Sequence, residues 1–334
     1  MTHAIRFHQT GGPEVLRWEE VSEGSHGAAV GNVAPDEARI RHRAVGLNFI
    51  DIYHRSGAYP LPLPSGIGLE GAGVVEAVGS AVTDLEPGDR VAYAGAPLSP
   101  IGAYAEVRNL PADRLVKLPD AIDFKTGAAM MLQGMTAQYL LRRTCPVAAG
   151  DAILIHAAAG GVGLIVCQWA QALGVTVIGT VSTDEKAALA RAHGCKHTIV
   201  YTRENFVERV REITGGQGVR VVYDSIGKDT FMGSLDCLRP LGMMVLFGAA
   251  SGPAPLLDMG ELARRGSLFL TRPSLFTYTA RRSDLLAIAG DLFAVVASGK
   301  VRIEVNQTYA LKDAAQAHCD LAARKTTGST VLIP

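Results

Sequence analysis

The chain has few cysteines, no charge excess and no long apolar run, and each lack removes a class of protein. Its five cysteines, Cys145, Cys167, Cys195, Cys237 and Cys319, stand singly in 334 residues with no C-x-x-C pair. An odd number of scattered thiols argues against a secreted disulfide framework and for a reducing compartment. Lysine plus arginine equals aspartate plus glutamate at 32 each, which leaves no general attraction for nucleic acid or an anionic membrane surface. No uninterrupted apolar run reaches about 18 residues, and Met1-Thr2-His3-Ala4-Ile5-Arg6 leads straight into a polar strand. The expectation is a soluble cytoplasmic protein that acts on a small molecule. No Ser-His-Asp or Cys-His signature stands out, so no nucleophile is assigned.

What is present starts with length. A chain of 334 residues, 48% of them hydrophobic, exceeds the size at which one core stops growing, and two domains are expected. The organising stretch is Ile153-Leu154-Ile155-His156-Ala157-Ala158-Ala159-Gly160-Gly161-Val162-Gly163, followed by an apolar run over 164–173 and then Val175-Thr176-Val177-Ile178-Gly179-Thr180. Val162, Val166, Trp169, Ala170 and Leu173 fall at helical spacing, whereas Val175, Val177 and Ile178 suit a buried parallel strand. The reading is strand, small-residue turn, helix, strand. Small residues at Ala158, Gly160, Gly161, Val162 and Gly163 let backbone N–H groups approach a dinucleotide pyrophosphate, and the helix N-terminus adds a partial charge of about +0.5 e. The pattern departs from a strict G-x-G-x-x-G, but its βαβ context is the one such a site requires.

Residues 1–125 give short strand-like runs at 5–7, 16–21, 38–45, 73–78, 90–93, 103–107 and 115–118, with turns at Gly11-Gly12-Pro13 and Pro87-Gly88-Asp89, one helical turn over 48–55 and a polar loop over 22–35. That spacing predicts a small barrel. From Asp123, a candidate N-cap, Ala128, Met131, Leu132, Met135, Tyr139 and Leu140 form one apolar helical stripe. Helices are then expected over 183–193, 204–214 and 229–238, alternating with strands over 198–200, 219–224 and 241–247, which makes a doubly wound parallel sheet. A last sheet strand over 267–271, amphipathic helices over 283–298 and 312–324, and a strand over 330–333 follow. The expected division is 1–125, 126–272 and 273–334, with the dinucleotide domain inserted into the first.

These residues support a family. The chain resembles the zinc-free quinone oxidoreductases of the medium-chain dehydrogenase/reductase superfamily. The resemblance is carried by Gly11-Gly12-Pro13-Glu14-Val15-Leu16, Gly46-Leu47-Asn48-Phe49-Ile50-Asp51-Ile52-Tyr53, Pro87-Gly88-Asp89-Arg90-Val91, Gln133-Gly134-Met135-Thr136, the stretch 156–163, Val222-Tyr223-Asp224-Ser225 and Arg272-Pro273-Ser274-Leu275. It implies an α/β protein made of a GroES-like β-barrel catalytic domain and an inserted Rossmann domain that binds NADPH, a cleft site and a homodimer. It also implies Asn48, Tyr53 and Thr136 beside the nicotinamide, with cofactor contacts extending to Ser225, Phe247, Gly248, Arg272 and Arg324. The zinc alcohol dehydrogenases of that superfamily carry cysteine, histidine and cysteine at the positions of Asn48, Leu69 and near Leu132. Asparagine and leucine supply neither thiolate nor imidazole, so no metal is expected. His193-x-Cys195-x-His197 has metal-like spacing but falls between a helix end and a strand, where an ordinary loop is expected.

Without a Lewis acid, reduction of an electrophilic acceptor is favoured over alcohol oxidation, and a quinone suits, by hydride or electron transfer from nicotinamide C4. The alternatives are a zinc-free enoyl or alkenal double-bond reductase, and, in a different class, an NADPH-binding structural or nucleic-acid-binding protein. The end of the second sheet strand decides the cofactor. An NAD site places a carboxylate there for the ribose hydroxyls, whereas this chain has Thr180-Val181-Ser182-Thr183. Hydroxyls at Ser182 and Thr183, the Lys186 ammonium and the Tyr201 phenol can hold a 2′-phosphate, and NADPH is expected. The alternative is that Ser182 and Thr183 only cap the next helix and Lys186 is a solvated surface lysine. Ser267-Leu268-Phe269-Leu270-Thr271, last in the sheet, is the edge expected to pair with its copy.

Overall fold

The computed structural model describes residues 2–21, 32–98 and 100–334. Of the polar loop 22–35, residues 22–31 lie outside the described residues. The chain divides into two compact units, one of Met1–Met135, Thr279–Phe293 and Ile303–Pro334, the other of Thr136–Tyr278 and Ala294–Arg302.

The first unit is mostly β, as short strands broken by glycine and proline require. The long strand Glu37–Leu47 is its spine. Glu70–Val78 and Val107–Pro111 pair with it antiparallel, and Ser329–Ile333 pairs along its end. Arg90–Ala94, Val116–Lys117 and Val305–Ala310 complete a seven-stranded sheet. A second sheet of three strands has Thr2–Phe7 between Arg17–Val21 and Ser65–Gly66. Ile5, Phe7, Ile40, Tyr93, Tyr104, Leu110 and Leu115 fill the core between them. This is the mostly β half that the resemblance implies. The strand expected over 103–107 lies instead at Val107–Pro111: Ala105 makes only an isolated bridge to Ala4 of the first strand, and the Ala103 N–H is taken by Gly68 O at 2.8 Å. The strand Val305–Ala310 has no apolar run and was not legible: its burial alternates between half-buried and exposed.

Asp123 caps the helix Phe124–Tyr139, accepting from Thr126 N at 2.9 Å. The single apolar stripe expected there is corrected: Ala128, Ala129, Met130, Met131, Met135, Ala137 and Tyr139 are all buried, so the helix is enclosed on nearly every side.

The second unit is built on six parallel strands. In chain order they are Ala152–Ile155, Thr176–Val181, His197–Val200, Val219–Asp224, Leu238–Leu246 and Phe269–Thr271, and side by side they stand third, second, first, fourth, fifth, sixth. The order reverses beside Ala152–Ile155, whose Ile153 and Leu154 pair with Val177 and Ile178 on one side and Val221 and Val222 on the other. Ile153, Leu154 and Ile155 are fully buried, so that strand reads as a continuous apolar run, and a reversal of this kind is where open α/β sheets take their ligands. Helices Gly161–Ala172, Asp184–Ala192, Phe206–Ile213 and Phe231–Asp236 connect the strands. The short helices Gly260–Arg264 and Leu275–Tyr278 were not expected; one turn carries too little period to read. Among the described residues the last strand, Phe269–Thr271, pairs on one side only, with Phe269 55% and Leu270 38% exposed.

Candidate active site

The turn after Ala152–Ile155 is set by close packing. Ala157 takes a left-handed φ of 55° and is exposed, while Ala158 is buried and donates its N–H to Thr180 O at 3.0 Å. Gly160 N bonds back to Ala157 O at 2.9 Å, and the helix Gly161–Ala172 starts from Gly160. A Cβ on Gly163 would run into Ala157 O and stand 2.7 Å from the Ala158 carbonyl, so only glycine lets the helix begin against the turn. The first-turn N–H groups, those of Gly161, Val162 and Gly163, have no intrahelical acceptor, and with the helix dipole they make an anion cradle. Because the Ala158 N–H is engaged, its contribution is its small side chain.

His156 closes the strand as an internal clasp. Ser234 Oγ donates to Asp224 Oδ2 at 2.9 Å, which leaves it an acceptor toward His156 Nε2 at 3.0 Å; His156 Nδ1 then accepts from Thr180 Oγ1 at 2.9 Å. Burial holds its pKa below the usual value against the pull of Asp224, so the ring is neutral and ties three strands together.

At the end of the second strand, Tyr201 N bonds to Val181 O at 3.1 Å and Thr202 Oγ1 to Ser182 O at 3.0 Å, which seats Ser182 and Tyr201 on adjacent strand ends. Ser182 and Lys186 are half-buried and Tyr201 is exposed. Thr183 is the N-cap of Asp184–Ala192: its Oγ1 accepts from Lys186 N at 3.3 Å and its hydroxyl also bonds the Glu185 carboxylate. The donor and one acceptor of that hydroxyl both serve the helix start. Farther along the same edge, Phe247 N bonds to Asp224 O at 2.8 Å, Gly248 lies against Ser225, and Arg272 Nη1 points to Gly248 O at 3.4 Å. Thr136 is buried and hydrogen-bonds the Tyr139 hydroxyl, whose ring stacks on Tyr278 at 4.5 Å.

Asn48, Tyr53 and Arg324 belong to the first unit. Asn48 precedes the helix Phe49–Ser56 and is 6% exposed. Its N–H donates to Asp51 Oδ2 at 2.9 Å, its Nδ2 to Glu70 Oε2 at 2.7 Å, and its Oδ1 accepts from Gln133 Nε2 at 3.0 Å. Gln133 Oε1 in turn accepts from Ser329 Oγ at 2.7 Å, and Glu70 Oε1 from Leu132 N at 2.8 Å. The amide of Asn48 thus has one orientation, fixed from both ends. A Cβ on Gly46 would strike Ala128 O and the Glu70 carboxylate, so glycine makes room for Glu70. Burial raises Glu70 to about 8 and Asp51 to about 7. The Tyr104 hydroxyl joins Asp51 Oδ2 at 2.9 Å to His318 Nε2 at 3.2 Å. The half-buried Tyr53 packs its ring 5.1 Å from Tyr59 and 6.4 Å from Phe49, and Arg324 holds a left-handed φ of 59° after the helix Ala314–Ala322.

His193, Cys195 and His197 each have local surroundings rather than a common centre. His193 Nδ1 bonds Leu189 O at 2.8 Å, Cys195 Sγ bonds His197 O at 3.2 Å, and His197 is half-buried in its strand.

Residues 34–120 match the family model described as alcohol dehydrogenase GroES-like domain, and residues 161–286 that described as zinc-binding dehydrogenase. The chain is 55% identical to a quinone oxidoreductase of Pseudomonas aeruginosa, over 100% of both chains. It is 50% identical to a 2-haloacrylate reductase of Burkholderia sp., over 100% of this chain and 99% of the other. The solved structure of Escherichia coli quinone oxidoreductase complexed with NADPH covers 100% of both chains at 48% identity and a TM-score of 0.95. The chain belongs to the quinone oxidoreductase family.

Three groups of residues around these positions were given no role from the sequence. Glu70, Gln133 and Ser329 orient Asn48, but they lie 22, 85 and 281 positions from it and no local pattern joins them. Asp51 had a readable signal, an acidic residue three after a capping asparagine. Asp184 and Arg203 form the third group, on the rim of the second strand's end.

Proposed function

We propose that this quinone oxidoreductase family member reduces quinones with NADPH. The observation that carries this reading is the end of the second sheet strand, where Ser182, Lys186 and Tyr201 stand in place of a carboxylate acceptor, beside a helix start that only glycine permits at Gly163. These residues fit the cofactor: the N–H groups of Gly161, Val162 and Gly163 would hold the pyrophosphate, and Ser182, Lys186 and Tyr201 the 2′-phosphate. When bound, the nicotinamide would supply a hydride or electrons to the electrophilic acceptor. The chain's part is orientation and exclusion of water. Asn48, with its amide locked by Glu70 and Gln133, and Tyr53, on the helix that Asn48 precedes, are assigned to hold the acceptor. The donor set at Asn48, Leu69 and Leu132 is an amide and two aliphatic chains, which does not suit zinc; the site is read as metal-free.

Steady-state assay with a para-quinone and NADPH tests the reading, with an alcohol plus NADP⁺ and a 2-haloacrylate plus NADPH as the other arms. Quinone turnover with an inert alcohol is expected. An inert quinone with rapid haloacrylate turnover would give the double-bond reductase reading, which the 50% identity to the Burkholderia enzyme makes the second choice. Tyr53→Phe is the cleaner site variant, since Asn48→Ala leaves Glu70 and Gln133 without their shared partner and costs about 1–3 kcal/mol of stability as well.

The assembly is read as a homodimer through Phe269–Thr271, an unpaired edge with exposed Phe269 and Leu270 that symmetric pairing would cover. No helix among the described residues is long and apolar enough to cross a membrane. A cytoplasmic location is the proposal that accords with five unpaired cysteines.

A further inference from the structure

The first turn of the helix Asp184–Ala192 carries two carboxylates, Asp184 and Glu185, between Ser182 and Lys186, both assigned to the 2′-phosphate. Two negative charges there oppose a phosphate dianion. In the structure each is turned to a partner. Glu185 is held by the Thr183 hydroxyl and by its own backbone N–H. Asp184 is held by a residue from the next loop: Arg203 Nη1 donates to Asp184 Oδ2 at 2.7 Å and Nη2 to Oδ1 at 2.5 Å, a bidentate fork that only a guanidinium can make. The same loop is pinned to the second strand by Tyr201 N to Val181 O and Thr202 Oγ1 to Ser182 O, so Tyr201, Thr202 and Arg203 in succession bind across to Val181, Ser182 and Asp184. Arg203 N also bonds to Val200 O at 3.0 Å, which fixes where the side chain starts.

We infer that Arg203 is a specificity-determining residue: by engaging the Asp184 carboxylate on the rim of the 2′-phosphate pocket it allows NADPH to bind beside an acidic helix start. The pair is solvent-exposed, with side chains 58% and 65% accessible, so as a stabilising ion pair it is worth little. Its effect is on the field met by the phosphate, which carries two more negative charges than the 2′-hydroxyl of NADH. The inference rests on the proposed NADPH reading and adds a residue to it.

The experiment is a double-mutant cycle on the full-length protein, with Kd for NADPH and NADH measured by fluorescence titration at low ionic strength. Arg203→Gln should weaken NADPH roughly three- to tenfold and change NADH by less than about twofold, and the NADPH effect should shrink in about 0.5 M salt. Adding Asp184→Asn to Arg203→Gln should bring NADPH back to within about twofold of the parent, since the unmasked carboxylate is gone. A double variant as weak as Arg203→Gln alone would overturn the inference and make Arg203 a direct phosphate ligand. Unchanged NADPH affinity in Arg203→Gln, in a parent that prefers NADPH, would overturn the inference alone. A parent that binds both cofactors equally would overturn the pocket reading with it.

Discussion

Glu70→Gln should remove a pH dependence from the stability of the first unit. Burial raises the Glu70 carboxyl from 4.5 to about 8 despite the bonds it accepts from Asn48 and Leu132. The folded chain therefore keeps a proton that the unfolded chain has already released. The stability this contributes is complete below pH 4.5 and is lost as pH rises through about 8. Across the middle of that window the difference is one proton, so stability falls by about 1.4 kcal/mol per pH unit, with a ceiling of ~5 kcal/mol over the full interval. Glutamine does not titrate. It also cannot accept from both Asn48 Nδ2 and Leu132 N without turning its own amide toward one of them, which lowers stability by about 1–3 kcal/mol at every pH. The expected result is a lower but flatter curve for the variant, with the two lines converging by about 1.4 kcal/mol per unit between roughly pH 5.5 and 7 and more slowly above. Urea unfolding at fixed pH values is the assay. Trp18 reports the first unit when Trp169, the other of the two tryptophans, is replaced by phenylalanine. Parallel lines for parent and variant across that range would refute the argument that Glu70 is protonated in the folded state.

Lys186→Glu should lower kcat/KM for NADPH far more than for NADH; from two bonds to a charged phosphate at about 1.5–3 kcal/mol each, the parent preference is roughly 10²- to 10⁴-fold, and equal parent values would remove Ser182, Lys186 and Tyr201 from the pocket. Elemental analysis should find zinc well below one atom per chain, and stoichiometric zinc whose removal by a chelator abolished turnover would contradict the metal-free reading of Asn48, Leu69 and Leu132. Light scattering at micromolar concentration should give twice the 35.2 kDa chain mass, and Phe269→Lys should shift it toward the monomer; a parent that is already monomeric would sink the edge-pairing proposal.

By itself the sequence determined whatever depends on neighbours along the chain. The change of apolar period from 3.6 to 2 around residues 153–180 specifies strand, helix and strand, and the glycines at 160, 161 and 163 specify the turn between them, because backbone geometry within a few residues sets both. The Asp123 cap, the Thr183 cap and the absence of a carboxylate at Ser182 are of the same kind. Tertiary structure decided the rest. The enclosure of Phe124–Tyr139 on nearly all sides follows from what packs around it, and its own sequence reads equally well as a one-sided stripe. Asn48 acquired its fixed amide from Glu70, Gln133 and Ser329, and His156 its tautomer from Thr180, Ser234 and Asp224. Asp184 was masked by Arg203, 19 positions away. A hydrogen bond or a burial-driven pKa is a property of two groups and the space around them, and residues far apart in the chain share neither until the fold brings them together.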